Sequence, residues 1–257
     1  MSTRFFVDEP IQLGLLRLTG QEARHLAQVM RVQPGERVTL FDGSGAEFTA
    51  QVEQAGPRKI ELTVLDRTEV SRESPVEIVL GTALPKGDRQ RWLVEKAVEL
   101  GVARLTPLIT QRSVARPKEN AVARLRRAVT EASKQCGRNR LMVVDSAQVW
   151  SEYLQSPPED ARRIVAHPTG EPITKLLRET PPPSRSIYLA VGPEGGLTED
   201  ETAQASSAGW RIVGLGPRIL RVETAAAFLA SVLTATSDED ATSDEDATLD
   251  EGATSKD

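Results

Sequence analysis

Two short apolar runs near the C-terminal end, each passing directly into a Gly/Pro loop, constrain the fold of this chain more than any other feature. The first is Ile187-Tyr188-Leu189-Ala190-Val191 followed by Gly192-Pro193-Glu194-Gly195-Gly196. The second is Ile212-Val213-Gly214-Leu215 followed by Gly216-Pro217-Arg218-Ile219-Leu220-Arg221. A short apolar run bounded by turn formers reads as a buried strand, and a helix is predicted to begin near Glu223. In open α/β sheets ligands bind beyond the carboxyl ends of strands, where glycines let main-chain groups approach closely. The two loops therefore predict one ligand site. Neither matches the glycine fingerprints that open dinucleotide or nucleoside triphosphate sites, so phosphate cradling is not indicated.

The rest of the chain falls into two patterns. From Arg37 to Leu65 short alternating runs dominate: Val38 and Leu40, then the Asp42-Gly43-Ser44-Gly45 turn, then Phe48, Ala50 and Val52, then Ile60, Leu62 and Val64. Such runs predict a small β-barrel, preceded by a short amphipathic helix over Gly20 to Arg31 with Ala23, Leu26, Ala27 and Met30 on one side. The charged stretch Asp66 to Ser74 reads as a linker. From Pro75 onward strands alternate with helices: Val76 to Leu80, a helix through Leu100, Leu105 to Ile109, a helix over Asn120 to Gln135, Arg163 to Ala166, and then the two loop-bearing strands. Thr198 and Glu201 form a capping box behind the first of those. Strand–helix alternation predicts an α/β domain on a parallel sheet. The predicted boundaries are 1–72, 73–235 and a tail over 236–257.

The formal charge of −5 conceals an uneven distribution. Thr236 to Asp257 repeats Thr-Ser-Asp-Glu-Asp-Ala twice and carries nine acids and one lysine, which leaves the body of the chain at +3. With almost nothing apolar to bury, the tail is expected to be disordered, either as a solvated extension or as a competitor for basic surface. No apolar run approaches the roughly 20 residues needed to cross a bilayer, and no secretory signal pattern opens the chain. The single cysteine, Cys136, excludes an internal disulfide and any cysteine-built zinc site. A reduced, cytoplasmic setting fits.

Charge concentrates in one helix. From Arg116 to Arg140 there are eight basic and two acidic residues. Val122, Leu125, Val129, Ala132 and Cys136 line one side of this helix, while Arg124, Arg127, Lys134 and Arg138 recur at helical spacing on another. A cationic stripe of this kind predicts binding to a phosphate backbone, with Arg138-Asn139-Arg140 at its end able to position a splayed nucleotide. Cys136 has basic neighbours that would favour a thiolate, but its place on the apolar side makes it a small buried hydrophobe. His25 is either a surface residue or a contact. His167, after a strand in Ala166-His167-Pro168-Thr169-Gly170, either lines the ligand site or merely shapes a turn. No metal-binding cluster is present in the pattern.

Arg4-Phe5-Phe6-Val7, His25 to Arg31, Phe41-Asp42-Gly43, Glu95-Lys96-Ala97-Val98-Glu99-Leu100-Gly101, Gln135 to Arg140, His167-Pro168 and both Gly/Pro loops recur in one arrangement. That arrangement resembles the RsmE family, the 16S ribosomal RNA uracil-N3 methyltransferases of the SPOUT superfamily. The resemblance spans about residues 4 to 233 and leaves the acidic tail outside. It implies a PUA-like RNA-binding barrel, a trefoil-knotted α/β domain that binds S-adenosylmethionine, a homodimer, and action near the decoding region of the small subunit. The cofactor residues it implies are His167, Leu189, Val191, Gly192, Pro193, Glu194, Gly195 and Gly196 on one side. On the other are Leu215, Gly216, Ile219, Leu220, Thr224 and Ala225. RNA contacts are implied at Arg4, His25, Arg31, Lys86, Arg89, Arg124, Arg127, Lys134, Arg138, Asn139 and Arg140.

Methyl transfer to a ring nitrogen needs the nitrogen aligned with the donor and its proton removed, but needs no covalent attack on the ring. Positioning by the loops is the expected main effect. Arg221 and Glu223 are the candidate catalytic groups: Arg221 for a developing anion, and Glu223 either for the proton or simply as an acid at a helix N-terminus. Glu194 has the same two readings, and Gly195→Val is expected to block the donor sterically. Two alternatives stand beside this reading. Knotted enzymes acting on a ribose 2′-OH or on transfer RNA usually carry an arginine-centred first motif, where this chain has Leu84-Pro85-Lys86-Gly87-Asp88-Arg89. A non-catalytic RNA-binding factor would have no need of intact glycines in both loops.

Overall fold

Alternation in the N-terminal third becomes a five-stranded sheet. Strands β1 (Arg4–Phe6), β2 (Gly14–Thr19), β3 (Arg37–Phe41), β4 (Ala46–Ala55) and β5 (Lys59–Glu69) pair in the order β1-β3-β4-β5-β2. Only β1 and β3 run parallel. Because side chains alternate across a strand, Val38, Leu40, Phe48, Ala50, Val52, Ile60, Leu62 and Val64 converge on one buried face. Helix α1 (Gly20–Arg24) runs into a π-helical turn at His25–Met30, and together they place Ala23 and Leu26 on the same core. Arg31 ends the turn with φ of 53°, in the left-handed region.

The computed structural model describes residues 4–114, 119–179 and 184–251. Its chain divides into one unit of Met1–Glu73 with Thr130–Leu141 and a second of Ser74–Val129 with Met142–Asp257. The boundary after Glu73 lies one residue beyond the expected one. Inclusion of Thr130–Leu141 in the first unit corrects the expected division at 72.

Polar bonding explains that inclusion. Arg4 Nη2 donates to Asn139 Oδ1 at 2.6 Å, and Asn139 Nδ2 donates to the Val70 carbonyl at 2.8 Å. Glu47 Oε1 accepts from Arg4 Nη1 at 2.6 Å and from Arg72 Nη1 at 2.5 Å. Arg72 also donates to the Gly137 carbonyl at 2.9 Å, and Arg138 pairs with Glu73. These partners lie far apart in sequence, so no local pattern announces them. The expected linker is corrected too: Asp66 to Glu69 continue β5, paired with Ala46 to Thr49, because ladder bonding needs no apolar side chains.

Burial pushes the Glu47 carboxyl up, but hydrogen bonds and charge from Arg72 and Arg4 outweigh it and hold it below its usual value near 4.5. A depressed carboxylate stabilises the fold above its unfolded pKa, and that contribution is lost as pH falls through the folded value. The first unit is therefore expected to weaken on acidification below about pH 4.5. The Arg4 side chain is only 6% exposed, so Glu47→Gln strands a buried cation at a cost of about 3 kcal/mol at neutral pH. Thermal melts from pH 7 to pH 3 check both: the variant starts lower and shows a flatter acid limb. An acid limb as steep as in the parent would assign the effect to another carboxyl.

The second unit is built on strands β6 (Glu77–Thr82), β7 (Arg104–Ile109), β8 (Val143–Val144), β9 (Gln148–Val149), β10 (Arg162–Pro172), β11 (Ser186–Val191) and β12 (Arg211–Gly214). Their order is β12-β10-β11-β6-β7-β8, with β9 also on β7, and every pairing is parallel. Helices α2 (Arg89–Glu99), α3 (Glu119–Cys136), α4 (Trp150–Gln155), α5 (Ile173–Leu176), α6 (Glu199–Ser207) and α7 (Val222–Glu251) connect or follow them. Such a sheet is covered on both faces, which is why Ile78, Val79, Leu80, Ile187, Leu189 and Ala190 are all buried. The predicted capping box is present: Thr198 Oγ1 accepts from the Glu201 amide at 3.2 Å, and Glu201 Oε2 accepts from the Thr198 amide at 2.9 Å.

Helix α7 crosses the expected tail boundary at Thr236 and continues to Glu251, where disorder was expected. Its first turns are fixed by the packing of Ala226, Leu229, Ala230 and Leu233, and extending an existing helix costs far less than starting one. Residues 252–257 lie outside the described residues.

Candidate active site

Strand β11 sits between β10 and β6, and its last residue, Val191, is buried against both. The chain then turns through Gly192–Gly196 into α6. Strand β12 delivers the second loop on the far side of β10. Between them, β10 breaks its register with β12 between Ala166 and Glu171, so that His167 to Gly170 bulge from the ladder. Two strand ends and one bulge thus surround a cleft of about 280 Å³.

Of the expected cofactor residues, His167, Val191, Gly192, Pro193, Glu194, Gly195 and Gly196 line this cleft from one side. Leu215, Gly216, Ile219, Leu220 and Ala225 line it from the other. Leu189 and Thr224 do not. Leu189 is buried within the sheet, where its carbonyl accepts from the Tyr153 hydroxyl at 2.8 Å, and Thr224 is exposed on the outer side of α7. Ala166, Pro168, Leu197, Arg218 and Val222 complete the lining without having been expected. Four of them adjoin expected cofactor residues and Val222 lies between the two expected catalytic groups, so contiguity was a usable signal.

The backbone shapes this wall. Gly216 has φ of 112° and Gly196 has φ of 72°, and nothing lies within 4 Å of a Cβ built on either. At Gly195 the backbone is ordinary, and an added Cβ meets the Arg112 side chain at 3.2 Å. The collision expected of Gly195→Val is with the donor rather than with the protein, and Gly195 lines the cleft where it would occur.

Few ionisable groups face the cleft. Among the described lining residues they are His167, Glu194 and Arg218, with no Ser, Cys or Lys. His167 Nδ1 accepts from the Thr169 amide at 3.3 Å, which leaves the ring proton on Nε2. Burial lowers the His167 pKa, so the ring is neutral at pH 7. Glu194 and Glu223 share one cation: Arg89 Nη2 reaches Glu194 Oε1 at 3.0 Å, and Arg89 Nη1 reaches Glu223 Oε2 at 3.5 Å. Arg112 Nη1 donates to the Gly195 carbonyl at 2.8 Å. Of the two candidate catalytic groups, neither lines the cleft: Glu223 is buried against Arg89, and Arg221 is exposed. No group of acids, His or Cys that could hold a metal ion occurs among the described residues. A site of this kind binds and aligns; it has no nucleophile of its own.

The expected RNA contacts separate into two sets. Arg4, Arg138 and Asn139 are buried and committed to the bonds described above, and Lys134 pairs with Glu22 and Glu131, both at 2.8 Å. Burial without a partner would be costly for each, so internal pairing takes the place of the expected contact. Arg89 is likewise engaged by its two carboxylates. By contrast Arg31, Lys86, Arg124, Arg127 and Arg140 are exposed, and His25 is half-buried, edge-on to Phe5 at 5.9 Å. Cys136, expected to be buried, is only partly so.

Comparison with known proteins gives this geometry a family. Residues 72–234 match the RNA methyltransferase domain family, and residues 18–65 match the RNA methyltransferase PUA domain. Ribosomal RNA small subunit methyltransferase E of Mycobacterium bovis is 34% identical over 247 residues, which cover 92% of this chain and 93% of that one. The Bacillus subtilis protein of that name is 29% identical over 226 residues, covering 84% and 88%. A crystal structure of ribosomal RNA small subunit methyltransferase E from Neisseria gonorrhoeae, bound to S-adenosyl methionine, superposes with a TM-score of 0.84 at 33% identity, over 91% of this chain and 98% of that one. The chain belongs to the ribosomal RNA small subunit methyltransferase E family.

Proposed function

We propose that this protein methylates N3 of a specific uridine in 16S ribosomal RNA, in the decoding region of the small subunit, during ribosome maturation. The observation that carries this reading is the cleft itself: bare main chain at two strand ends, apolar walls and no nucleophile suit an organic donor that brings its own reactive group. S-adenosylmethionine supplies the methyl group on a sulfonium, and the residues that would hold it are Gly192 to Gly196 and Leu215 to Leu220.

The protein's own groups then have limited tasks. The two loops fix the donor and, with it, the line along which a pyrimidine nitrogen must approach. Neutral His167 presents Nε2–H as a donor. Arg218, on the cleft wall, and Arg221, exposed beside it, are cations placed to favour the uracil anion left when N3 loses its proton. Exposed Arg31, Lys86, Arg124, Arg127 and Arg140 with half-buried His25 form the set that meets RNA phosphate, as the net positive body of the chain requires.

The reading includes a homodimer, supported by large apolar side chains left open at Trp92, Ile219 and Phe228. It includes the trefoil threading, supported by a strand order in which β10 lies between two strands that follow it in sequence. A cytoplasmic location follows from a ribosomal substrate, and no helix among the described residues is long and apolar enough to cross a membrane.

N3 lies on the pairing edge of uracil, so its methylation arrests reverse transcription. Ribosomal RNA, or assembled subunits, from a strain lacking the modification is incubated with the protein and S-adenosylmethionine and then probed by primer extension. One regained stop is expected in 16S ribosomal RNA. No stop on either substrate removes the proposed activity.

A further inference from the structure

Arg89 was expected to touch RNA, yet its guanidinium joins the first loop of the cleft to the start of α7, which follows the second loop. It opens α2, a helix that packs on α7. One nitrogen reaches Glu194, which lines the cleft in the first loop, and another reaches Glu223, in the first turn of α7 behind the second loop. Arg89 itself is absent from the cleft wall. The Glu223 side chain is 8% exposed and makes no other hydrogen bond or ion pair among the described residues.

We infer that Arg89 is a positioning residue for the donor cleft, acting through Glu194 and Glu223. This rests on the proposal that the cleft takes S-adenosylmethionine. A planar fork with several donors can hold two carboxylates at once; an ammonium on a flexible stem cannot hold both in the same geometry. Without the guanidinium, two negative groups face each other across the junction of the loops, one of them buried, and each loop loses its tie to the other. Donor affinity is lost because the two cleft walls no longer hold their spacing. Chemistry at saturating donor survives, because Arg89 does not itself line the cleft and acts only through its two carboxylates. RNA affinity is expected to be unchanged, because the guanidinium is engaged by two carboxylates.

The test uses the full-length protein with Arg89→Ala, Arg89→Lys and the double variant Arg89→Ala/Glu223→Gln. Calorimetry gives S-adenosylmethionine affinity, and methylation kinetics give kcat with KM for donor and for ribosomal RNA. Arg89→Ala is expected to weaken donor Kd and KM by about tenfold or more, with kcat changed less than about twofold. Arg89→Lys recovers part of the loss. Glu223→Gln in the Arg89→Ala background also recovers part, since it removes the repulsion that the first change exposes.

The salt dependence of RNA binding separates the two roles. A phosphate contact would lower the salt slope by about one unit and raise the KM for RNA. That result with unchanged donor affinity overturns the inference. If Arg89→Ala fails to fold, Arg89→Lys decides: a loss confined to donor affinity supports the role, and wild-type donor affinity overturns it. If the unmodified protein binds no donor at all, the cleft assignment itself fails and takes this inference with it, an outcome distinct from a variant that binds normally.

Discussion

Gly170→Ala is expected to eliminate detectable binding of S-adenosylmethionine. A Cβ built on Gly170 falls 2.5 Å from the Val213 carbonyl carbon, 2.6 Å from the Val213 nitrogen and 2.7 Å from the Ile212 carbonyl carbon. All three are backbone atoms, so no side chain can swing aside. The approach is mutual, since a Cβ on Gly214 would lie 2.8 Å from the Gly170 oxygen. Relief requires the bulge after Ala166 and strand β12 to separate, and both end at the cleft. Forcing extra methylenes into a packed core costs about 1–3 kcal/mol where side chains can shift, and more is expected where only main chain can yield. Calorimetry should show at least a hundredfold loss, about 2.7 kcal/mol or more, together with a lower melting temperature. Gly195→Ala is the contrast, because its Cβ meets only the Arg112 side chain at 3.2 Å and a side chain can give way. Wild-type affinity in Gly170→Ala would mean that β10 and β12 do not approach as described.

The cleft was legible because its chemistry is backbone chemistry. Glycine after a short apolar run marks a strand end open to a ligand, and twelve of the fourteen residues expected around it line the wall. Leu189 and Thr224 were misplaced for one reason: alternation along a strand and rotation around a helix send neighbouring side chains to opposite sides, and no local pattern says which side faces the cleft. Charge was legible only as a total. The same basic stretch holds Arg124 and Arg127, which are exposed, and Arg138, which is buried on Glu73. Nothing within Arg116 to Arg140 distinguishes them, because the acids that neutralise Lys134 and Arg138 include Glu22 and Glu73, far away in the chain. Arg89 shows the same gap, with carboxylates more than a hundred residues distant. A cation's partner decides whether it serves structure or substrate, and partners are tertiary facts. The strand continuation over Asp66 to Glu69 was hidden differently: exposed, charged residues carry a hydrogen-bonded ladder without leaving an apolar trace.

Gly216→Asn and Gly196→Asn are expected to diverge, although both glycines have positive φ and open space around them. Gly196, at φ of 72°, lies close to the left-handed α region that Asn enters more readily than other residues with a side chain. Gly216, at φ of 112°, lies well outside that small region, where backbone conformations are close to glycine-only and cost about 1–3 kcal/mol for other residues. A Cβ at either position meets no protein atom within 4 Å, so the expected difference rests on backbone conformation. Residues 216–219 are exposed, and Ile219 is 82% exposed, so the second loop can escape strain by changing shape without unfolding the sheet beneath it. The cost then falls on the cleft: Gly216→Asn should weaken donor binding by about tenfold to a hundredfold at a nearly unchanged melting temperature. Gly196→Asn should stay within about threefold of the parent, since Asn is among the few residues with a side chain that enter the left-handed region. Parallel calorimetric titrations and melts of the two variants decide the matter. Equal losses would show that the second loop does not hold the donor in the conformation seen here, and equal melting shifts without affinity loss would place the strain in the sheet instead.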